Sequence, residues 1–171
     1  MPKYNVADDH KNEKLEPLTG GMDAVKFLPF NGRYRNLPEF GKVYYGMMSW
    51  FGQFGIGKWG DGLSVYKWID KADNGQNASG LSQMTPGIAY MSNKTLKHWF
   101  KLTFPNNKSF IVQQVDIGPS GWTSKLIDVN APLAEMAGYS PKNFPTGAII
   151  RFQYIGKEMP EGATKTYRRP V

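Results

Sequence analysis

Ser109-Phe-Ile-Val-Gln-Gln-Val-Asp-Ile-Gly-Pro119 is followed, after a short gap, by Ile127-Asp-Val-Asn-Ala-Pro-Leu-Ala134. In both stretches an apolar, strand-forming run ends on an aspartate and meets a breaker at once. Gly118-Pro119 closes the first, and Asn130 with Pro132 closes the second. Runs of this length, rich in β-branched residues and bounded by Gly, Pro and Asn, read as short strands. Asn130 is an N-cap candidate, Pro132 fits a first helical turn, and Leu133–Ala137 is expected to be a short helix stopped by Gly138.

The same texture extends outward in both directions. Trp99–Phe104 alternates, and Pro105-Asn-Asn-Lys108 is a turn, so residues 99–116 are expected to form a hairpin. Val43–Phe51 is an aromatic-rich strand candidate closed by Gly52, with Leu126–Val129 a short strand and Gly147–Ile155 a last strand with alternating faces. Residues 52–87 set single aromatics among glycines with weak periodicity, which suits a long loop carrying short strands. Residues 1–20 are polar and read as an extended arm or a disordered tail. Residues 21–41 place Phe27, Leu28, Phe30, Tyr34, Leu37 and Phe40 among prolines, as chain laid over the domain surface or as a contact for a partner. Residues 157–171 are basic and without pattern. The expected organisation is an N-terminal arm (1–41), one mainly β domain (42–156) and a basic tail (157–171).

Composition fits this reading. In 171 residues, 40% are hydrophobic and 14% aromatic, enough for a core, while 19 glycines and 12 prolines favour many turns over a helical bundle. The net charge of +7 suits a polyanionic partner, but the basic residues are spread out, so nucleic acid is not singled out and the charge also serves solubility. No cysteine and two histidines leave neither a thiolate nor a histidine metal site to expect, and no cofactor motif is present: the P-loop, the dinucleotide fingerprint and the nucleophile elbow are all missing. No apolar run approaches the roughly 20 residues needed to span a bilayer. The N-terminus shows no apolar stretch after its basic residue, so no signal peptide is expected.

Asp116 and Asp128 admit two readings. A carboxylate at a strand end commonly accepts neighbouring backbone N–H groups, as in turns and caps. A partly desolvated carboxyl instead holds its proton toward neutral pH and serves as a general acid.

The order strand, Asp-Ile-Gly-Pro119, loop, Ile127-Asp-Val-Asn130, short helix, Gly138, final strand resembles the double-psi β-barrel of rare lipoprotein A and its relatives. Tyr45-Gly-Met-Met-Ser-Trp-Phe-Gly52 is similar to the opening strand of that family, Asn93-Lys-Thr-Leu96 to its His-Lys-Thr-Leu stretch, and Phe100–Phe104 to its following strand. The resemblance covers about residues 43–156. A further resemblance, carried by Pro86-Gly-Ile-Ala89, Gln114–Pro119, Ala137-Gly-Tyr139 and Phe144-Pro-Thr146, is to phage and bacterial members of this group.

This resemblance implies a mainly β fold: a six-stranded double-psi β-barrel with one or two short helices and the extended arm. It implies a lytic transglycosylase acting on the glycan strands of peptidoglycan, with Asp116 as the acid and Asp128 as the neighbour whose charge keeps it protonated. Asn93, Trp59, Trp68, Trp122 and Gln114 become the candidates for holding substrate. Two departures stand out: Asn93 occupies the histidine position of the family, and residues 52–93 contain no glutamate. The alternative is a non-catalytic barrel that binds wall or serves as a structural part of a virion. Delivery is expected as a phage tail component, or from the host cytoplasm, with residues 1–41 docking on other virion proteins.

Overall fold

The computed structural model describes residues 30–31, 33–51, 54–58, 64–68, 77–81, 85–119, 125–140 and 143–168, with backbone alone at 30–31, 54–58 and 64–68. The strands are β1 (Phe30–Asn31), β2 (Tyr34–Arg35), β3 (Val43–Phe51), β4 (Phe54–Lys58), β5 (Ser64–Trp68), β6 (Gly87–Tyr90), β7 (Trp99–Thr103), β8 (Ser109–Asp116), β9 (Ile127–Asn130) and β10 (Ile149–Gly156). One helix, α1 (Ala131–Met136), occurs among the described residues.

Six strands close into a ring in the order β10-β3-β9-β6-β8-β7, with β7 returning to β10. Closure pairs every strand on both sides and leaves no long open edge. Alternation along the strands turns Tyr44 and Met48, Ile127 and Val129, Phe100 and Leu102, and Ile150 and Phe152 into one shared core. Tyr90, Phe100 and Phe152 form its aromatic centre, each pair of rings about 6 Å apart.

The pairing has an internal two-fold regularity. β3 runs parallel to β9, and β8 runs parallel to β6. The β3·β10, β7·β8, β6·β9 and β7·β10 pairs are antiparallel. Exchanging β3, β6 and β7 with β8, β9 and β10 leaves every pairing and its direction unchanged. No sequence repeat accompanies this symmetry.

The expected hairpin of residues 99–116 is present, its turn closed by Phe104 N–H donating to the Lys108 carbonyl at 2.9 Å. Asn130 is the N-cap of α1, and Gly138 follows the helix with φ of 94°. The Asn130 side chain reaches beyond the helix. Its Oδ1 accepts from both Leu133 N and Gly87 N, and its Nδ2 donates to the Thr85 carbonyl. One buried amide thus joins β9, α1 and the entry to β6.

Both flanks are tied to the ring. Gly41 N–H donates to the Tyr154 carbonyl, Phe40 bridges to Tyr154, and Arg35 N–H donates to the Met91 carbonyl. Residues 34–41 therefore form a strap over the ring, and residues 1–29 of the expected arm lie outside the described residues. The C-terminal tail is attached too, against the expectation of a patternless extension. Ala163 bridges to Ile111 and joins a small apolar cluster of Trp99, Ile111 and Ile155, while the Tyr167 hydroxyl donates to Glu135 on α1. The physical reason is the edge of β8 near Ile111, which β6 reaches only from Gln113 onward and which Thr164 N–H covers at 2.7 Å.

Two substitutions test the packing. A Cβ at Gly46 would lie 2.3 Å from Leu126 Cδ2, so Gly46→Ala should lower stability by about 1–3 kcal/mol. Asn130→Ala strands two buried N–H groups and should cost about 2–3 kcal/mol, more than an exposed cap. Urea unfolding of each variant checks both values.

Candidate functional site

The register across β3, β9, β6 and β8 aligns four residues. Ser49 lies opposite Asp128, Asp128 opposite Ala89, and Ala89 opposite Asp116, where a register shift at Ile88/Ala89 brings Asp116 into line. With strands about 4.8 Å apart, the backbones of Asp116 and Asp128 are roughly 10 Å apart across β6. The two-fold exchange maps Ser49 onto Asp116 and Asp128 onto Ala89.

Ile127 and Val129 are fully buried in the core, so alternation turns Asp128 to the opposite face of β9. There its carboxyl is mostly buried, and Oδ1 has no hydrogen-bond partner among the described residues. Burial pushes its pKa up to about 6, with the Lys125 cation pulling partly the other way. Desolvation disfavours the ionised form, so this carboxyl keeps a proton to higher pH than an ordinary aspartate.

Asp116 has different surroundings. Its Oδ1 accepts from Ala78 N–H at 3.1 Å and Ile117 N–H at 2.9 Å. Ser79 N–H donates to the Val115 carbonyl beside it, and Asn77 Nδ2 donates to the Leu81 carbonyl, so Asp116 anchors the 77–81 turn to the end of β8. The turn reading of strand-end aspartates therefore describes Asp116. It does not describe Asp128, because Asn130 does the capping. The sequence expectation made Asp116 the protonated acid and Asp128 its charged neighbour. In the structure it is Asp128 whose Oδ1 is buried with no partner among the described residues.

Gln114 was expected to touch substrate, and the structure corrects this. Its side chain is fully buried and its polar atoms are engaged within the protein. Nε2 lies 2.8–3.0 Å from the carbonyls of Tyr90, Ser92 and Asp116, and Oε1 accepts from the Thr95 hydroxyl. Gln114 thus fastens the turn after β6 against the end of β8. That turn carries Asn93, which is exposed and follows directly on the bonded Ser92. Trp59 and Trp122 lie outside the described residues. The backbone of Trp68 pairs with Phe54 in the β4·β5 ribbon, and its side chain lies outside the described set. His98 is hydrogen-bonded, its Nδ1 2.7 Å from the Tyr154 hydroxyl, and burial with the nearby Lys157 lowers its pKa.

Sequence reasoning did not single out Lys125, Ser49 or Ala89 for this site. Ser49 stood inside the strand motif Ser49-Trp50-Phe51, but nothing local showed that it would face Asp128. Among the described residues no group of three His, Cys, Asp or Glu is arranged to hold a metal ion. No helix among them is long and apolar enough to cross a membrane. No family model and no curated protein matches the chain.

The shift of Asp128 makes stability depend on pH. Between pH 3.8 and about 6 the folded chain retains a proton that the unfolded chain releases, so stability falls as pH rises through that window. The loss is of the order of 2–3 kcal/mol and complete above pH 6. Asp128→Asn should remove that slope and leave the protein more stable than wild type at pH 7–8, as chemical denaturation at a series of pH values would show.

Proposed function

We propose that this chain is a double-psi β-barrel that cleaves the glycan strands of peptidoglycan in the manner of a lytic transglycosylase, with Asp128 as the acid. The fold part of this reading is supported by the two parallel pairs interleaved with antiparallel ones under a two-fold exchange. The order of motifs along residues 43–156 agrees with it. The chemical part is carried by one observation: Asp128 Oδ1 is buried with no partner among the described residues, and that burial pushes the carboxyl's pKa up to about 6.

In the proposed reaction the Asp128 carboxyl donates its proton to the glycosidic oxygen as the C1–O bond breaks. The 6-hydroxyl of the same sugar attacks C1 and closes an anhydro ring, and its proton passes to the Asp128 carboxylate. No water is consumed, and the acid is regenerated. A single carboxyl suffices, unlike the carboxyl pair of ordinary glycoside hydrolases. Asp116, one strand beyond Ala89, offers an acceptor to a sugar hydroxyl along the same row. Delivery as part of a phage tail, docked through the N-terminal arm, is the route that the phage-type motifs favour.

A second reading, a wall-binding or structural virion barrel without chemistry, is favoured by Asn93 in the histidine position. It is also favoured by the use of Asp116 to hold a turn.

Purified sacculi distinguish the two. Wild type should release anhydro-muropeptides detectable by mass spectrometry, with activity falling about tenfold per pH unit above 6 as Asp128 ionises. Asp128→Asn should abolish release, and Asp116→Asn should reduce it by about 10- to 100-fold. Equal product from wild type and Asp128→Asn overturns the assignment of the acid. Binding to sacculi without any product establishes the second reading.

A further inference from the structure

The strap of residues 34–41 reaches the entry to β9, the strand that carries Asp128, through one buried arginine. Arg35 is 3% exposed, and its Nη2 donates to the Lys125 carbonyl at 2.9 Å, three residues ahead of Asp128. Its own N–H donates to the Met91 carbonyl, directly after β6. The next residue accepts a bond from the core, Tyr90 hydroxyl to Asn36 carbonyl at 2.6 Å. Arg35 and Asn36 thus span the end of β6 and the entry to β9, where Tyr90 pairs with Ile127, one step from the Ala89–Asp128 pair.

Burying a guanidinium costs several kcal/mol, and an apolar side chain would fasten a strap at less cost. A buried arginine aimed at one particular carbonyl fixes geometry instead. Lys125 is also the cation whose charge acts on Asp128, and Arg35 holds the backbone that carries it.

We infer that Arg35 is the positioning residue of the Asp128 site, and that the N-terminal strap is part of that site rather than a docking element alone. Its catalytic consequence rests on the proposed glycan-cleaving function; its geometric consequence does not. The strap ties the entry to β9 at the Lys125 carbonyl to the end of β6 and so sets the backbone that leads into Asp128. Among the described residues, the charged and titratable groups around that entry are Arg35, Lys125, Tyr90 and, across β6, Asp116.

The test uses the full chain with Arg35→Met, Arg35→Lys and a remote strap control, Phe40→Ala. Carbon-detected NMR follows the aspartate carboxyls through pH 3–8, with Asp128→Asn assigning the resonance. In Arg35→Met the Asp128 midpoint should move down by at least about half a unit as water reaches the carboxyl. Arg35→Lys should restore part of the shift, and Phe40→Ala should leave it unchanged. Release of anhydro-muropeptides should fall about tenfold in Arg35→Met and partly recover in Arg35→Lys. An unchanged midpoint in folded Arg35→Met overturns the inference. Should that variant not fold, Tyr90→Phe releases the strap at Asn36 and should move the midpoint in the same direction; no movement there is equally decisive against it. A midpoint that moves in a protein releasing no product leaves the positioning role standing and removes the glycan-cleaving one.

Discussion

Ile127 and Val129 must both face the core, and in a strand of only four residues that forces Asp128 onto the outer face between β3 and β6. Burying each of these aliphatic side chains contributes roughly 1.5–3 kcal/mol, and a slip of one residue would place the carboxylate in the core instead. The register of β9 is therefore strongly specified. Every other feature of the site follows from it: Ser49 on one side, Ala89 on the other, Asp116 one strand further, and Lys125 at the entry. The raised pKa of Asp128 is a local cost of that arrangement, borne by the packing on the other face.

The two-fold regularity of the ring places this row astride its own axis. Backbone geometry treats Asp128 and Ala89 alike, and likewise Ser49 and Asp116. The side chains break the symmetry. One central position carries an acid and its equivalent a methyl group; one outer position carries a carboxylate bonded to a turn and its equivalent a hydroxyl. A symmetric frame thus holds an asymmetric set of polar groups.

The connections crossing this frame are held by a few buried polar side chains rather than by secondary structure. Gln114 secures the turn after β6, Asn130 secures the approach to β6, and Arg35 secures the approach to β9. Each makes bonds to main-chain carbonyls or N–H groups that otherwise lack a partner in a sheet or helix. Truncating any of them leaves buried groups unsatisfied, which explains why large residues alone do not describe the core.

Much of the fold was legible in the sequence. β3, the β7·β8 hairpin, the capped helix and β10 all carried local signals: alternation, a turn at Pro105–Lys108, Asn130 with Pro132, and Gly138. β6 did not. Its four residues, Gly87–Tyr90, are all buried and show no alternation to read. The tail also escaped notice, because its anchor at Ile111 is an edge that exists only once β6 has paired with the far half of β8. At the site, the sequence by itself determined that Asp116 and Asp128 would end or interrupt strands, since breakers follow each within a few residues. It did not determine which carboxyl would be buried. That depended on desolvation and on the backbone N–H groups within reach, and both are properties of the packed ring. Only the tertiary structure set Ala78 N–H against Asp116 and left Asp128 Oδ1 buried with no partner among the described residues.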